Sequence, residues 1–105
     1  MTTFDERQKD FEKKFALDEE LRFKATARRN KLLGLWAADK LGLTGAEAET
    51  YSKEVVAAQF DPGEGVFNKV HGDFQAKGVA QSEHQIRRTM DELMAKAVGE
   101  IKAGG

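Results

Sequence analysis

Arg28-Arg29-Asn30-Lys31-Leu32-Leu33-Gly34-Leu35-Trp36-Ala37-Ala38 is the stretch on which the fold turns. From Leu32 to Ala38 every residue is apolar or glycine, so a helix through it has no polar side to offer water. Such a segment has to be enclosed by other helices, which makes it the centre of an all-helical body. Gly34, in the middle of the run, predicts that a neighbouring helix comes close there. Further out, Leu21, Ala25, Leu32, Leu35 and Trp36 share an apolar face, and the helix is expected from about Glu20 to Leu41. Gly42 ends it, because glycine adopts the left-handed cap conformation without a Cβ penalty.

The flanking segments are punctuated in the same manner. Thr44 and Glu47 have capping-box spacing and open a helix with Ala48, Tyr51, Val55 and Ala58 along one side. Asp61-Pro62-Gly63-Glu64 ends that helix. It is expected to start the next one, with Asp61 as cap, Pro62 in the first turn and Glu64 at the third position. Val66, Phe67, Val70 and Phe74 then fall on one face, although Gly63, Gly65 and Gly72 each weaken the segment by about 1 kcal/mol relative to alanine. Lys77-Gly78 closes it. Ser82 with Gln85 forms another capping box, after which Ile86, Met90, Leu93, Met94, Ala97 and Ile101 follow the helical period up to Gly104 and Gly105. No strand-like alternation, low-complexity run or repeat interrupts this. The expected fold is all-α: a four-helix bundle over residues 20–105 with short connections, preceded by a mobile amphipathic N-terminal helical arm over residues 1–19.

In that arm Phe4, Phe11 and Phe15 recur at spacings of seven and four, which stacks them on one side of a helix. Thr3 and Glu6 supply a capping box. Asp5, Glu6, Arg7, Lys9, Asp10, Glu12, Lys13 and Lys14 fill the space between the rings. The resulting stripe is narrower than the face of about 100° that holds a helix to its own core. Burying each ring is worth about 1.5–3 kcal/mol. Ordering the backbone costs about 1–2 kcal/mol per residue before hydrogen bonds offset it. The arm is therefore expected to exchange among bundle-bound, frayed and partner-bound states; the alternative is a permanent fifth helix.

Composition bounds the rest. The chain has 105 residues, enough for one core, with 33% charged and 40% hydrophobic residues and no cysteine, which excludes disulfides and thiolate metal sites. No apolar run approaches the roughly 18 residues that cross a bilayer, so no direct membrane insertion is expected. Thr2-Thr3-Phe4-Asp5 opens the chain without a basic-then-apolar leader, which points to a cytoplasmic protein. A net charge of −1 argues against a dedicated nucleic-acid binder. Charge is unevenly placed, however: residues 1–20 hold seven acids against four bases, and residues 22–31 hold five bases and no acid.

Neither His71 nor His84 has the paired spacing of a metal ligand. No phosphate-binding glycine loop and no nucleophile elbow is present, so an enzyme is not expected. Arg28 is more informative, since it shares the sector of Leu21, Ala25, Leu32 and Leu35, as does Asp39. A charge inside an apolar stripe either snorkels to water or marks a pocket. The second option makes Arg28 and Arg29, with Lys31 and conceivably Arg87 and Arg88, an anion site, where Asn30 supplies a hydrogen bond to a base or carbonyl.

Phe23-Lys24-Ala25 together with Arg28 through Ala38, and Ser82-Glu83-His84-Gln85-Ile86-Arg87-Arg88-Thr89-Met90, resemble the two signature blocks of the ζ subunit of the alphaproteobacterial F-type ATP synthase. The resemblance spans the whole chain. It implies a four-helix bundle that inhibits ATP hydrolysis by the catalytic head, placing the protein in the cytoplasm, peripheral to the inner membrane through the synthase. It also implies that residues 1–19 enter the cleft between the α and β subunits near the γ stalk. Phe4, Phe11 and Phe15 are then the anchors, with Arg7 and Lys14 among the charges that set register. The family is further described as binding ADP or ATP on the bundle; Arg28, Arg29 and Asn30 are the residues assigned to that ligand here, and no cofactor is required. Two other functions fit the residues: a small helical module binding nucleotide or nucleic acid through residues 22–31, and a scaffold bundle whose arm caps the core.

Overall fold

The computed structural model describes residues 19–104. They form α1 (Glu19–Lys40), α2 (Gly45–Ala57), α3 (Gly65–Lys77) and α4 (Glu83–Lys102), with a 3-10 turn at Ala58–Phe60 and no strand among the described residues. Phe4, Arg7, Phe11, Lys14, Phe15 and the Thr3–Glu6 box lie outside the described residues.

The centre is α1, packed against α2 on one side and α4 on the other, with α3 touching all three helices. Ala25, Asn30, Leu33, Gly34, Ala37 and Ala38 are its buried residues. Leu32, Leu35 and Trp36 are half-buried and Leu21 is exposed. The single apolar face expected for this helix is thus two faces. Arg28, on the Leu21–Ala25–Leu32 stripe, lies 3.7 Å from Glu100 of α4, which puts that stripe on the α4 side. The other face meets α2 at Gly34, where a Cβ would lie 2.6 Å from the Cα of Ser52. The Ser52 hydroxyl donates to the Lys31 carbonyl at 2.9 Å across the same contact. Around it, Leu33, Ala37, Ala38, Tyr51, Val55, Val66, Phe67, Val70, Phe74 and Ile86 make one core, and Trp36 meets Phe74 edge-on at 5.6 Å between centroids.

Both glycine stops are six-to-one caps. At φ +79, Gly42 lets Leu43 N–H reach the Ala38 carbonyl at 2.9 Å; at φ +72, Gly78 lets Val79 N–H reach that of Phe74 at 2.8 Å. Leu43 and Val79 then pack on the core, the hydrophobic contact that accompanies this motif. The Ser82–Gln85 box forms in both directions.

Two helix starts differ from expectation. Thr44 is the N-cap of α2, but its side chain makes no cap hydrogen bond. Gly45 follows at φ +56, and the amide of Glu47 bonds the backbone carbonyl of Thr44 instead. Asp61 is not the cap of α3. It ends the 3-10 turn in an extended conformation, Gly63 takes φ +70, and α3 begins only at Gly65. A Cβ on Gly65 would collide with the Ala58 carbonyl, so the corner is folded too tightly for the helix to start earlier. The middle connection, Ala58–Glu64, is correspondingly longer than the short link expected.

Gly34→Ala tests the central contact. Alanine in a helix gains about 1 kcal/mol over glycine, whereas overpacking costs about 1–3 kcal/mol. Because the clash is with backbone, a net loss of about 1–2 kcal/mol is expected, lowering Tm by about 5–10 °C in thermal denaturation. Gly72→Ala, where nothing lies within 4 Å of the added Cβ, should raise Tm instead. Equal shifts of one sign in both variants would show that Gly34 is not a packing glycine.

Candidate functional site

Consecutive residues of a helix point about 100° apart, so Arg28, Arg29 and Asn30 cannot all face one point. Arg28 turns toward α4 and the 3.7 Å ion pair with Glu100, both side chains being partly exposed. Asn30 turns inward and has no exposed surface. Its Nδ2 donates to Gln59 Oε1 at 2.9 Å, and its Oδ1 accepts from Arg29 Nε at 2.7 Å. The structure therefore brings Arg29 and Asn30 together and holds Arg28 on the other flank. Burial pushes the Arg29 guanidinium below its ordinary value, and the negative charge of Asp91 on α4 opposes that shift.

The cations of the second signature block are engaged elsewhere. Arg87 donates two parallel hydrogen bonds to the Glu64 carboxylate, at 2.9 and 2.8 Å, and stands 4.0 Å over the Phe67 ring. These hydrogen bonds, more than the charge itself, hold the Glu64 carboxyl below the usual carboxylate range. Arg88 pairs with Glu92 at 3.2 Å. Arg87 lies about 20 Å along α4 from Glu100, the carboxylate that Arg28 meets, so Arg28 and Arg87 belong to different ends of that helix, whereas Arg29, which feels Asp91, stands nearer the Arg87 end. Lys31 and Asp39 are exposed.

Sequence reasoning missed a polar network on the opposite side. The Tyr51 phenol donates to Asp73 Oδ2 at 2.8 Å. Lys69 pairs with Asp73 at 3.1 Å and with Glu54 at 3.7 Å, and sits 5.1 Å from the Tyr51 centroid. A shallow groove of about 340 Å³ runs beside it, lined by Leu43, Ala46, Glu47, Thr50, Tyr51 and Glu54. The Lys69–Asp73 pair at i,i+4 was the available signal, but its bond to Tyr51 joins helices distant in sequence. His71 stacks on Phe67 at 5.2 Å, and among the described residues no three histidines or carboxylates gather as metal ligands. Also missed were two exposed aromatic rings, Phe23 at 62% and Phe60 at 73%.

Polar contacts here brace single helices or tie neighbouring ones together, and none of the described residues gathers into a metal-binding cluster. The described chain is a small all-helical bundle braced by side-chain ties. The chain belongs to the ATPase inhibitor subunit zeta family, whose model matches residues 1–100. This agrees with the resemblance carried by the two signature blocks, and it makes inhibitory regulation of the ATP synthase the general function of the chain. A structure solved by NMR in solution is similar at 42% identity and TM-score 0.70, over 81% of this chain and 99% of that one. No curated protein matches significantly. No described helix is long and apolar enough to cross a membrane.

Tyr51 is the chain's one tyrosine, so its ionisation can be followed cleanly by near-ultraviolet absorbance. Burial first, then its bond to Asp73 and the charges of Asp73 and Glu54, drive its pKa upward. Because the folded value lies above the unfolded value of about 10, the stabilisation is complete below about pH 10 and is lost as pH rises beyond it. Ionisation should therefore appear only together with alkaline unfolding, and Asp73→Asn should bring it to lower pH. A simple titration near pH 10 in the folded wild type would refute the network.

Proposed function

We propose that residues 1–19 are the inhibitory element of the chain. It acts as a helix inserted between the α and β subunits of the ATP synthase catalytic head, near γ, while residues 20–105 form the supporting bundle. The observation that carries this is the family match beginning at residue 1, which includes the phenylalanine seam as well as the bundle. Phe4, Phe11 and Phe15 are the anchors, since a helix laid in an apolar groove is held by rings at helical spacing. Arg7, Lys14 and the acids among them set register and rate of encounter more than affinity. A wedge in an interface that must open and close during turnover stops rotation with no chemistry by the inhibitor.

ADP or ATP binds, in this proposal, beside Arg29, with the buried Asn30 orienting that guanidinium from behind and Arg28, turned toward Glu100, outside the contact. The bond from Arg29 Nε to Asn30 supports it by fixing the plane of a guanidinium whose other nitrogens suit a phosphate.

The assay is ATP hydrolysis by the purified head. Phe11→Ala with Phe15→Ala removes two rings and should raise the half-inhibitory concentration by about 100-fold or more. Undiminished inhibition by the double variant would remove the arm from the mechanism. For the nucleotide, titration with ADP should shift the amides of Arg28 to Lys31, and Arg29→Ala should abolish those shifts. Shifts dispersed over the whole bundle would move the ligand elsewhere.

A further inference from the structure

The first three turns of α1 extend past the helix that covers the rest of it on one side. Antiparallel to α1, α2 meets it at Ser52 and ends at Ala57; the 3-10 turn places Gln59 on Asn30 before the chain turns away at Asp61. Phe23 lies seven residues before Asn30, hence on the same face of α1, just beyond the Asn30–Gln59 bond. Phe60 adjoins Gln59. Phe23 and Phe60, the two most exposed large apolar side chains among the described residues, thus stand two helical turns before Asn30 and next in sequence to Gln59, with half-buried Ala27 between Phe23 and Asn30. Both rings leave apolar area open at this end of the bundle.

From this we infer that the shelf of Phe23, Ala27 and Phe60 is the resting dock of the chain's own residues 4–15. That segment is attached at the open end itself, since residue 18 adjoins Glu19. As a helix, Phe4 to Phe15 spans about 18 Å, close to the roughly 16 Å of α1 between Glu19 and Arg29, and residues 16–18 are left for the reversal. Its ring seam supplies the missing apolar partner. Asp10 and Glu12 flank Phe11 and meet an α1 segment, Arg22 to Lys31, that carries five bases and no acid. The docked arm lies where α2 would lie were α2 three turns longer. The same three rings cannot be seated on the shelf and in a target at once, so self-docking holds part of the population in a latent form. That consequence rests on the inhibitory role proposed above; the docking itself does not.

The chain has no cysteine, so Lys9→Cys carries a single spin label on the full-length protein. Docking predicts paramagnetic broadening at the amides of Ala27–Lys31 and Gln59–Asp61. An arm running on in line with α1 would put the label about 27 Å from Ala27 and broaden the first turn alone. Phe23→Ser with Phe60→Ser, both at exposed positions, should abolish the distant broadening. Broadening confined to Glu19–Phe23, or seen only in unlabelled molecules mixed with labelled ones, overturns the inference, the latter by making the occupant a second copy. The hydrolysis assay supplies the opposite sign. Freed from its dock, the Phe23→Ser/Phe60→Ser protein should inhibit at a concentration about threefold lower, as expected when the competent fraction rises from a third to nearly all. An unchanged value overturns self-masking, and a higher one assigns the shelf to the target. If even the wild type fails to inhibit, the function proposed above is lost, and the spin-label result still decides the docking.

Discussion

Everything in this bundle is arranged around the approach of α1 to α2 at Gly34 and Ser52. Any side chain at position 34 would meet the Ser52 backbone, so the two helices lie closer than ordinary side chains allow. That closeness lets the Ser52 hydroxyl reach a main-chain carbonyl of α1, and it carries the end of α2 to where Gln59 can bond Asn30. Interior packing tolerates little slack, and a backbone-to-backbone contact tolerates least. Once α1 and α2 are locked, the remaining faces of the Leu32–Ala38 run are left for α3 and α4, which explains why a segment with no polar side is stable in water.

The interior is not wholly apolar, and its two polar residues act as positional pins. Asn30 and Ser52 are buried, and among the described residues no buried side-chain nitrogen or oxygen lacks a hydrogen bond. An unsatisfied buried amide costs about 1–3 kcal/mol, so a slip of α2 by one residue would leave both groups without partners. Register is thereby specified even though the surrounding alanines and valines would pack in several ways. The Arg87–Glu64 pair works differently. It is exposed, and such pairs add little to stability. Its value is geometric: Glu64 makes no side-chain cap for α3, and the carboxylate instead ties that helix start to α4 across the Phe67 ring.

What could be read from the sequence was what depends on near neighbours. The glycine stops and the Ser82 box are fixed within a few residues, the enclosed run and Gly34 declare contact with other helices by composition alone, and each stands as expected. The Asp61 start was missed because capping spacing says nothing of Gly65 pressed on the Ala58 carbonyl, a contact that only the folded corner creates. At Thr44 the sequence pattern was satisfied, but Gly45 at positive φ redirects the first turn onto backbone. Asn30 sits in a basic run and reads as surface; its burial depends on Gln59, twenty-nine residues on. Phe23 and Phe60 drew no reading from the sequence, since their exposure depends on where α2 and its 3-10 turn end.

The proposed inhibitory role sets energetic bounds on how firmly the N-terminal segment can be held to the bundle. A leader fixed by a broad apolar face would have to break that face before reaching a target, and the loss would be subtracted in full from its affinity. A leader with no dock would present three phenylalanines to every apolar surface it met. In the proposed mechanism the three rings lie between these limits, because their burial offsets only part of the cost of ordering the segment. In the same proposal the bundle's part is to anchor that segment: Gly34 against Ser52 and Asn30 bonded to Gln59 fix α1, the helix that continues from it.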